Sequence, residues 1–242
     1  MRQLRIISLL FISNICLGQA PGYMGKKFMF GVSGCYSPTY SNLLIFDRTT
    51  VNYVGEEINR FLAPLRLGGG MKYVISENRT LQFDIYYQQI GVSTSSKNSS
   101  SYNNDPDGVT KGNPFKYSRA SFVTYSFGLT QSVATAPVGR YFGSNVVLIL
   151  ADVESIDTDN NVYKTGNAMD FGLNSEYGIR RVFKDKIVLE TGLNISIYFR
   201  GVAGFVTKES NDAAADRMIS KALFANFINN FCTLKLGIYY LL

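Results

Sequence analysis

The 242-residue sequence contains no histidine and no tryptophan. Without imidazole it lacks the usual general base, the usual partner of a nucleophile and the commonest metal ligand. The hydrolase chemistry left is a carboxylate-only one, for which Asp170 with Glu176 or Glu190 has the nearest spacing. Inward-facing carboxylates beside Arg180 read as structural instead. Charge is also scarce: Asp, Glu, Lys and Arg make up 17% of the chain, below the usual quarter. The 24 basic and 18 acidic residues are spread along the sequence. No basic block of the kind that binds nucleic acid is present, so no nucleic-acid partner is expected.

Long hydrophobic runs are missing as well. Beyond the N-terminus the longest aliphatic run is Val146-Val-Leu-Ile-Leu150, the length of a strand and too short for a transmembrane helix. Cysteine is limited to three residues. Cys16 lies in a segment read as a secretory signal, with Arg2 and Arg5 as its basic region, Ile6 to Leu17 as its apolar core and small residues at Gly18 and Ala20. Cleavage is expected after Gly18, leaving Gln19 first, with a cut one or two residues later as the alternative. Ile15 before Cys16 argues against a lipoprotein. The expected organisation is a signal over 1–18 and one domain over 19–242. Loss of Arg2 and Arg5 lowers the net charge of +6 to +4.

Seventeen Phe, 16 Tyr and 22 Gly are what the chain does have, and period-two alternation organises them. In the last segment Leu234, Leu236, Ile238, Tyr240 and Leu242 share one face, while Thr233, Lys235, Gly237 and Tyr239 share the other. This is a strand with one apolar side. The same pattern predicts strands over Lys27–Tyr36, Leu65–Ile75, Leu81–Val92, Arg119–Val133, Arg140–Asp152, Met169–Arg180 and Ile187–Phe199. Arg140–Asp152 is apolar on both faces at its centre, so its register is not readable. Asn211–Phe224 fits a short helix in a loop, with Ala215, Met218, Ile219, Ala222 and Leu223 on one face. An extension of the last strand is the alternative.

Eight strands result, and the connections between them alternate long and short. Outer-membrane barrels have this asymmetry, with short periplasmic turns and long outer loops. The predicted fold is therefore all-β: an eight-stranded antiparallel up-and-down transmembrane barrel whose last strand pairs with its first. Outer-membrane lipid is its expected solvent, and the barrel-assembly machinery its partner during biogenesis.

The inward set is Arg66, Lys72, Gln82, Asp84, Gln88, Asp170, Asn174, Glu176, Arg180, Glu190 and Asn194. Both signs of charge are present. Pairing across a narrow lumen predicts a plugged barrel without a conducting pore, and Lys235 is expected to meet Glu190 or Asp84. Gly68-Gly-Gly70 reads as relief of crowding in a tightly curved wall. Cys35 alternates with the lumen set and Cys232 with the lipid set, which favours two free thiols over a disulfide. Asp157-Thr-Asp-Asn-Asn161 resembles the start of a calcium loop, but Val162 replaces the required glycine and Ala168 the closing acid. It and Asn104-Asp-Pro-Asp-Gly108 read as solvated loop tips. Of the sequons at Asn78, Asn98 and Asn194, the last points into the barrel. No catalytic, cofactor-binding or metal residues are assigned, no cofactor is expected, and the chain is read as a non-enzyme.

Two stretches carry a resemblance. Gly22-Tyr-Met-Gly-Lys-Lys-Phe28 is similar to the segment leading into the first strand of small outer-membrane barrels of Bacteroidetes-type bacteria. Ala136-Pro-Val-Gly-Arg-Tyr-Phe-Gly143 resembles the turn between their fourth and fifth strands. The group includes PorT-like and generic outer-membrane β-barrel proteins. The resemblance implies this fold, an outer-membrane location and, for some members, service in type IX secretion or gliding beside a larger complex. It implies no catalytic residues. The chain departs from the outer-membrane pattern in ending on Leu242, where an aromatic is common.

Three functions follow as expectations: a structural or accessory barrel, a surface adhesin or ligand-binding barrel using its long loops, and a soluble periplasmic binder of lipocalin shape.

Overall fold

The computed structural model describes residues 25–37, 65–92, 115–157, 162–199, 207–210 and 213–242. The expected signal over 1–18, most of the long loops and the Asp157–Asn161 and Asn104–Gly108 motifs lie wholly or largely outside them. The elements are β1 (Phe28–Tyr36), β2 (Leu65–Ser76), β3 (Arg79–Val92), β4 (Phe115–Ser132), β5 (Gly139–Asp157), β6 (Val162–Phe183), β7 (Ile187–Tyr198), β8 (Thr207–Ser210), α1 (Ala213–Asn230) and β9 (Cys232–Leu241).

Each long strand pairs antiparallel with its neighbours in sequence, and β9 closes the sheet by pairing with both β7 and β1. Closure matters because lipid offers no hydrogen bonds to an open strand edge. The register across the seam places Phe30 opposite Tyr240 and Val32 opposite Ile238. The eight long strands therefore form a barrel, with β8 as an addition to the wall. It pairs with β6 through Met169–Thr207 and Gly166–Ser210, beyond the point where β7 ends opposite Gly172.

Alternation sorts the side chains as expected. Phe30, Val32, Leu67, Met71, Ile85, Phe127, Val146, Leu173, Ile197, Leu236 and Ile238 are all exposed. In water such a surface would be an aggregation site; as a continuous belt around a closed barrel it is a lipid-facing surface. The protein is a transmembrane barrel of the outer-membrane type. Of the described residues, no helix is long and apolar enough to cross a membrane.

The strands differ in length. β1, β7 and β9 have 9, 12 and 10 residues, close to the 9–11 a tilted membrane strand needs. β4, β5 and β6 have 18, 19 and 22. Their excess rises past the apolar belt on the side of the long connections, so one half of the wall is taller than the other.

Two outcomes sharpen the sequence reading. First, β5 points Tyr141, Asn145, Val147, Ile149, Ala151 and Val153 inward and Phe142, Val146 and Leu150 outward. Second, the segment after β8 is a helix, not an extension of the last strand. It runs to Asn230, beyond the predicted Phe224, and is not seated in an outlying loop. Its buried Ile219, Ala222, Leu223 and Ala225 pack on the inward-facing Ile90, Ala120, Phe122, Val147, Ile149, Ala151, Val153, Ala168 and Tyr198. The two observations explain each other: the inner face of β5 is apolar towards its outer end because a helix lies on it. Leu223→Ala should cost about 2–5 kcal/mol, read as a lower denaturant midpoint in detergent. An unchanged midpoint would mean that α1 does not pack in the lumen.

Candidate functional site: the barrel lumen

The lumen is layered. At the end carrying the short turns, Met29, Val74, Ala136, Val188, Tyr239 and Leu241 form a small apolar floor. The β4–β5 turn contributes Ala136, whose N–H donates to the Glu77 carbonyl at 2.6 Å. The outermost layer is the apolar packing of α1. Charge lies between them.

Glu190 is the centre of that middle layer. Its Oε2 accepts from Lys72 Nζ at 2.5 Å and Arg180 Nε at 2.6 Å, and its Oε1 lies 3.1 Å from Lys235 Nζ. Lys235 also reaches Asp84 Oδ2 at 3.2 Å and Glu176 Oε1 at 3.3 Å. Three cations and three carboxylates are thus interlocked, and all six are buried. Both partners expected for Lys235 are found, together with Glu176.

Neutral groups take up several of the remaining donors and acceptors. Gln82 Nε2 donates to Asn145 Oδ1 at 2.8 Å and Glu176 Oε2 at 2.9 Å. Arg180 donates to Thr130 Oγ1 at 3.1 Å and to Gln82 Oε1 at 3.4 Å. Asn174 Nδ2 donates to Glu176 Oε1 at 3.3 Å. Aromatic faces cover two of the cations: Lys72 Nζ is 4.3 Å from the Tyr239 ring centroid, and Arg180 Cζ is 4.0 Å from that of Tyr141. Such contacts stabilise a desolvated cation by about 2 kcal/mol.

Glycine makes room for this packing. A Cβ on Gly70 would run into the Asp84 carboxylate, and one on Gly178 or Gly192 would meet the Tyr141 hydroxyl. Gly70 therefore lets the wall approach the charged layer, while Gly68 and Gly69 lie against the backbone of Ile85 and Gly31. No ligand needs to be invoked.

All eleven residues of the predicted inward set are buried. The structure brings Lys72, Gln82, Asp84, Asn174, Glu176, Arg180 and Glu190 into one network and adds Lys235, Thr130, Asn145, Tyr141 and Tyr239. Gln88 stands apart, accepting from Asn230 Nδ2 of α1 at 3.0 Å. Asn230 Nδ2 also donates to Asn226 Oδ1 at 2.8 Å, so the last turn of the helix is tied to β3 by amides. The hydrolytic pairing of Asp170 with Glu176 or Glu190 is not supported by the contacts: both glutamates are engaged by cations, and Asp170 Oδ1 accepts the Phe171 N–H at 2.8 Å. Cys35 and Cys232 are both free thiols. Asn194 is buried, as its alternation requires. Among the described residues no group of His, Cys, Asp and Glu could hold a metal ion.

No protein-family model and no curated protein sequence matches the chain. Solved barrel structures do. The N-terminal β-barrel domain of Pseudomonas aeruginosa OprF is 9% identical over 90% of this chain and 98% of its own, with a TM-score of 0.39. Ail, the attachment invasion locus protein of Yersinia pestis, was solved with the heparin analogue sucrose octasulfate. It is 8% identical over 90% of this chain and 97% of its own, with a TM-score of 0.40. Acinetobacter baumannii CarO2 is 10% identical over 90% and 100%, with a TM-score of 0.36. The barrel assignment rests on the strand pairing and the apolar belt, not on these likenesses.

Proposed function

We propose that this protein is a non-enzymatic outer-membrane barrel with a plugged lumen, acting as a structural or accessory component. It would present its outer loops or lipid face to a larger outer-membrane complex. The observation that carries the reading is the filling of the lumen: a charge-paired middle layer between an apolar floor and a helix. Buried charges that already satisfy one another offer no hydration to a passing ion. Purified protein in a planar bilayer should therefore show no stable conductance steps. Reproducible steps in the wild type would overturn the plugged reading, and their replacement by a permanently open conductance in a variant lacking α1 would show the helix to be a gate.

Type IX secretion or gliding machinery, of the kind the PorT-like resemblance implies, is the complex we favour. Extraction in gentle detergent followed by affinity capture tests it. Co-purification with secretion-system subunits is the expected result, and a barrel recovered alone counts against it.

The taller half of the wall favours a second reading, a surface adhesin or ligand-binding barrel. β4, β5 and β6 carry their pairing well past the apolar belt and would hold loops clear of the membrane. Deleting residues 93–114 separates the two: a binder loses its ligand, whereas an accessory acting through its lipid face keeps its complex. The apolar belt speaks against the soluble lipocalin-like reading.

A further inference from the structure

The rim that carries the short turns is strongly basic. Arg79, Arg140 and Arg181 point outward near the ends of β3, β5 and β6 and are exposed, as are Lys184 and Lys186 in the turn after β6. Lys26 and Lys27 precede β1 on the same rim. The acidic side chains exposed there are Glu77 and Asp185. Among the described residues, no carboxylate is ion-paired with any of the three arginines. At the other end of the wall, by contrast, Arg119 is paired with Glu154.

These arginines stand where the apolar belt ends. Across the sheet Arg79 is the register partner of Gln131, Gln131 of Phe142, and Phe142 of Tyr177. The row holds two exposed aromatics, and aromatic rings mark the headgroup level at the edge of a membrane barrel's belt. Arg140 lies one outward position nearer the turns than Phe142. Its register partner is Ile179, so Arg181 is its diagonal neighbour, about 7–8 Å away and within reach of a long side chain. A groove of about 200 Å³ opens at this level, lined by Arg79, Leu129, Thr130, Gln131, Phe142 and Gly143. Thr130 is buried on the lumen side and Gly143 has no side chain, so the floor of the groove is bare wall. Leu129 and Phe142 are its apolar flanks, and Arg79 and Gln131 supply donors.

We propose that this groove binds one anionic glycerophospholipid of the leaflet at the short-turn end, with its phosphate on Arg79 and Gln131 and an acyl chain along Leu129 and Phe142. A guanidinium fork matches a phosphate in geometry as well as charge. Each further cation near an anionic lipid surface strengthens attachment about fivefold, and Arg140 and Arg181 stand beside the groove to do so. A zwitterionic lipid would bring its own cation into this basic rim, so the rim selects net negative charge. The apolar flanks, level with the edge of the belt, suit a lipid better than a free phosphate ion.

The test uses the full-length barrel in a neutral detergent, supplemented stepwise with phosphatidylglycerol or with phosphatidylcholine of the same acyl chains. The thermal midpoint is followed as loss of the compact form on an unboiled gel. Phosphatidylglycerol should raise the wild-type midpoint saturably, and phosphatidylcholine should not. Arg79→Met, a change at an exposed position, should weaken the apparent affinity about fivefold or more. Arg119→Met, at the other end of the wall, should leave the curve unchanged. Equal responses to the two lipids, or the same phosphatidylglycerol curve in wild type and Arg79→Met, overturn the assignment. So does a matching response to inorganic phosphate at constant ionic strength, which would make this a site for a free anion.

Discussion

Glu190→Ala should be the most damaging single substitution in the charged layer. The carboxylate contacts Lys72, Arg180 and Lys235 within 3.1 Å, so its removal leaves three buried cations facing only Asp84 and Glu176. Breaking a buried ion pair by deleting one partner costs about 3–5 kcal/mol, because the survivor keeps its desolvation cost and loses its compensation. Urea unfolding of the barrel reinserted into vesicles reads this directly. Pairing Glu190→Ala with Lys72→Met should recover part of the loss, since one stranded charge leaves with its partner. A useful contrast is the pair Arg119–Glu154, at 2.5 Å but about one-third exposed. Removing Glu154 should change stability by less than about 1 kcal/mol. Equal losses at Glu154 and Glu190 would mean that the lumen layer is hydrated and contributes no more than a surface pair.

Ile238→Arg is the second large effect, and it acts on the other side of the wall. Ile238 is 56% exposed, pairs with Val32 and Leu189 in the register of β9 and lies within the apolar belt. Arginine near the bilayer midplane of a barrel costs about 2–4 kcal/mol. The neighbouring inward position behaves oppositely: Lys235 is already charged and is stabilised by three carboxylates, so Lys235→Leu should destabilise although it adds an apolar side chain. Together the two substitutions assign the faces of β9. Normal insertion and stability of Ile238→Arg would reverse them.

The faces were legible in the sequence wherever a strand has polar groups on one side only. Leu81, Phe83 and Ile85 against Gln82 and Asp84, or Leu234 and Leu236 against Thr233 and Lys235, leave one register compatible with a lipid exterior. β5 resisted because lipid outside and α1 inside both select apolar residues. Nothing local separates Val147 and Ile149, which meet the helix, from Val146 and Leu150, which belong to the belt. The helix itself was half legible. Ala215, Met218, Ile219, Ala222 and Leu223 stand at helical spacing, but Asn226, Asn229 and Asn230 look like loop residues until Gln88 of β3 is placed beside Asn230. The charged residues were identifiable as inward-facing, but the central role of Glu190 was not. Its link to Lys72 spans 118 positions, and only barrel closure brings them together.

The central claim, that the apolar belt faces lipid around a closed barrel, is tested most directly by cell fractionation combined with electrophoresis of boiled and unboiled samples. The protein should be recovered in the outer membrane and should migrate differently before and after heating, because a closed barrel resists detergent until boiled. Recovery in the soluble periplasmic fraction, with one mobility in both samples, would contradict it.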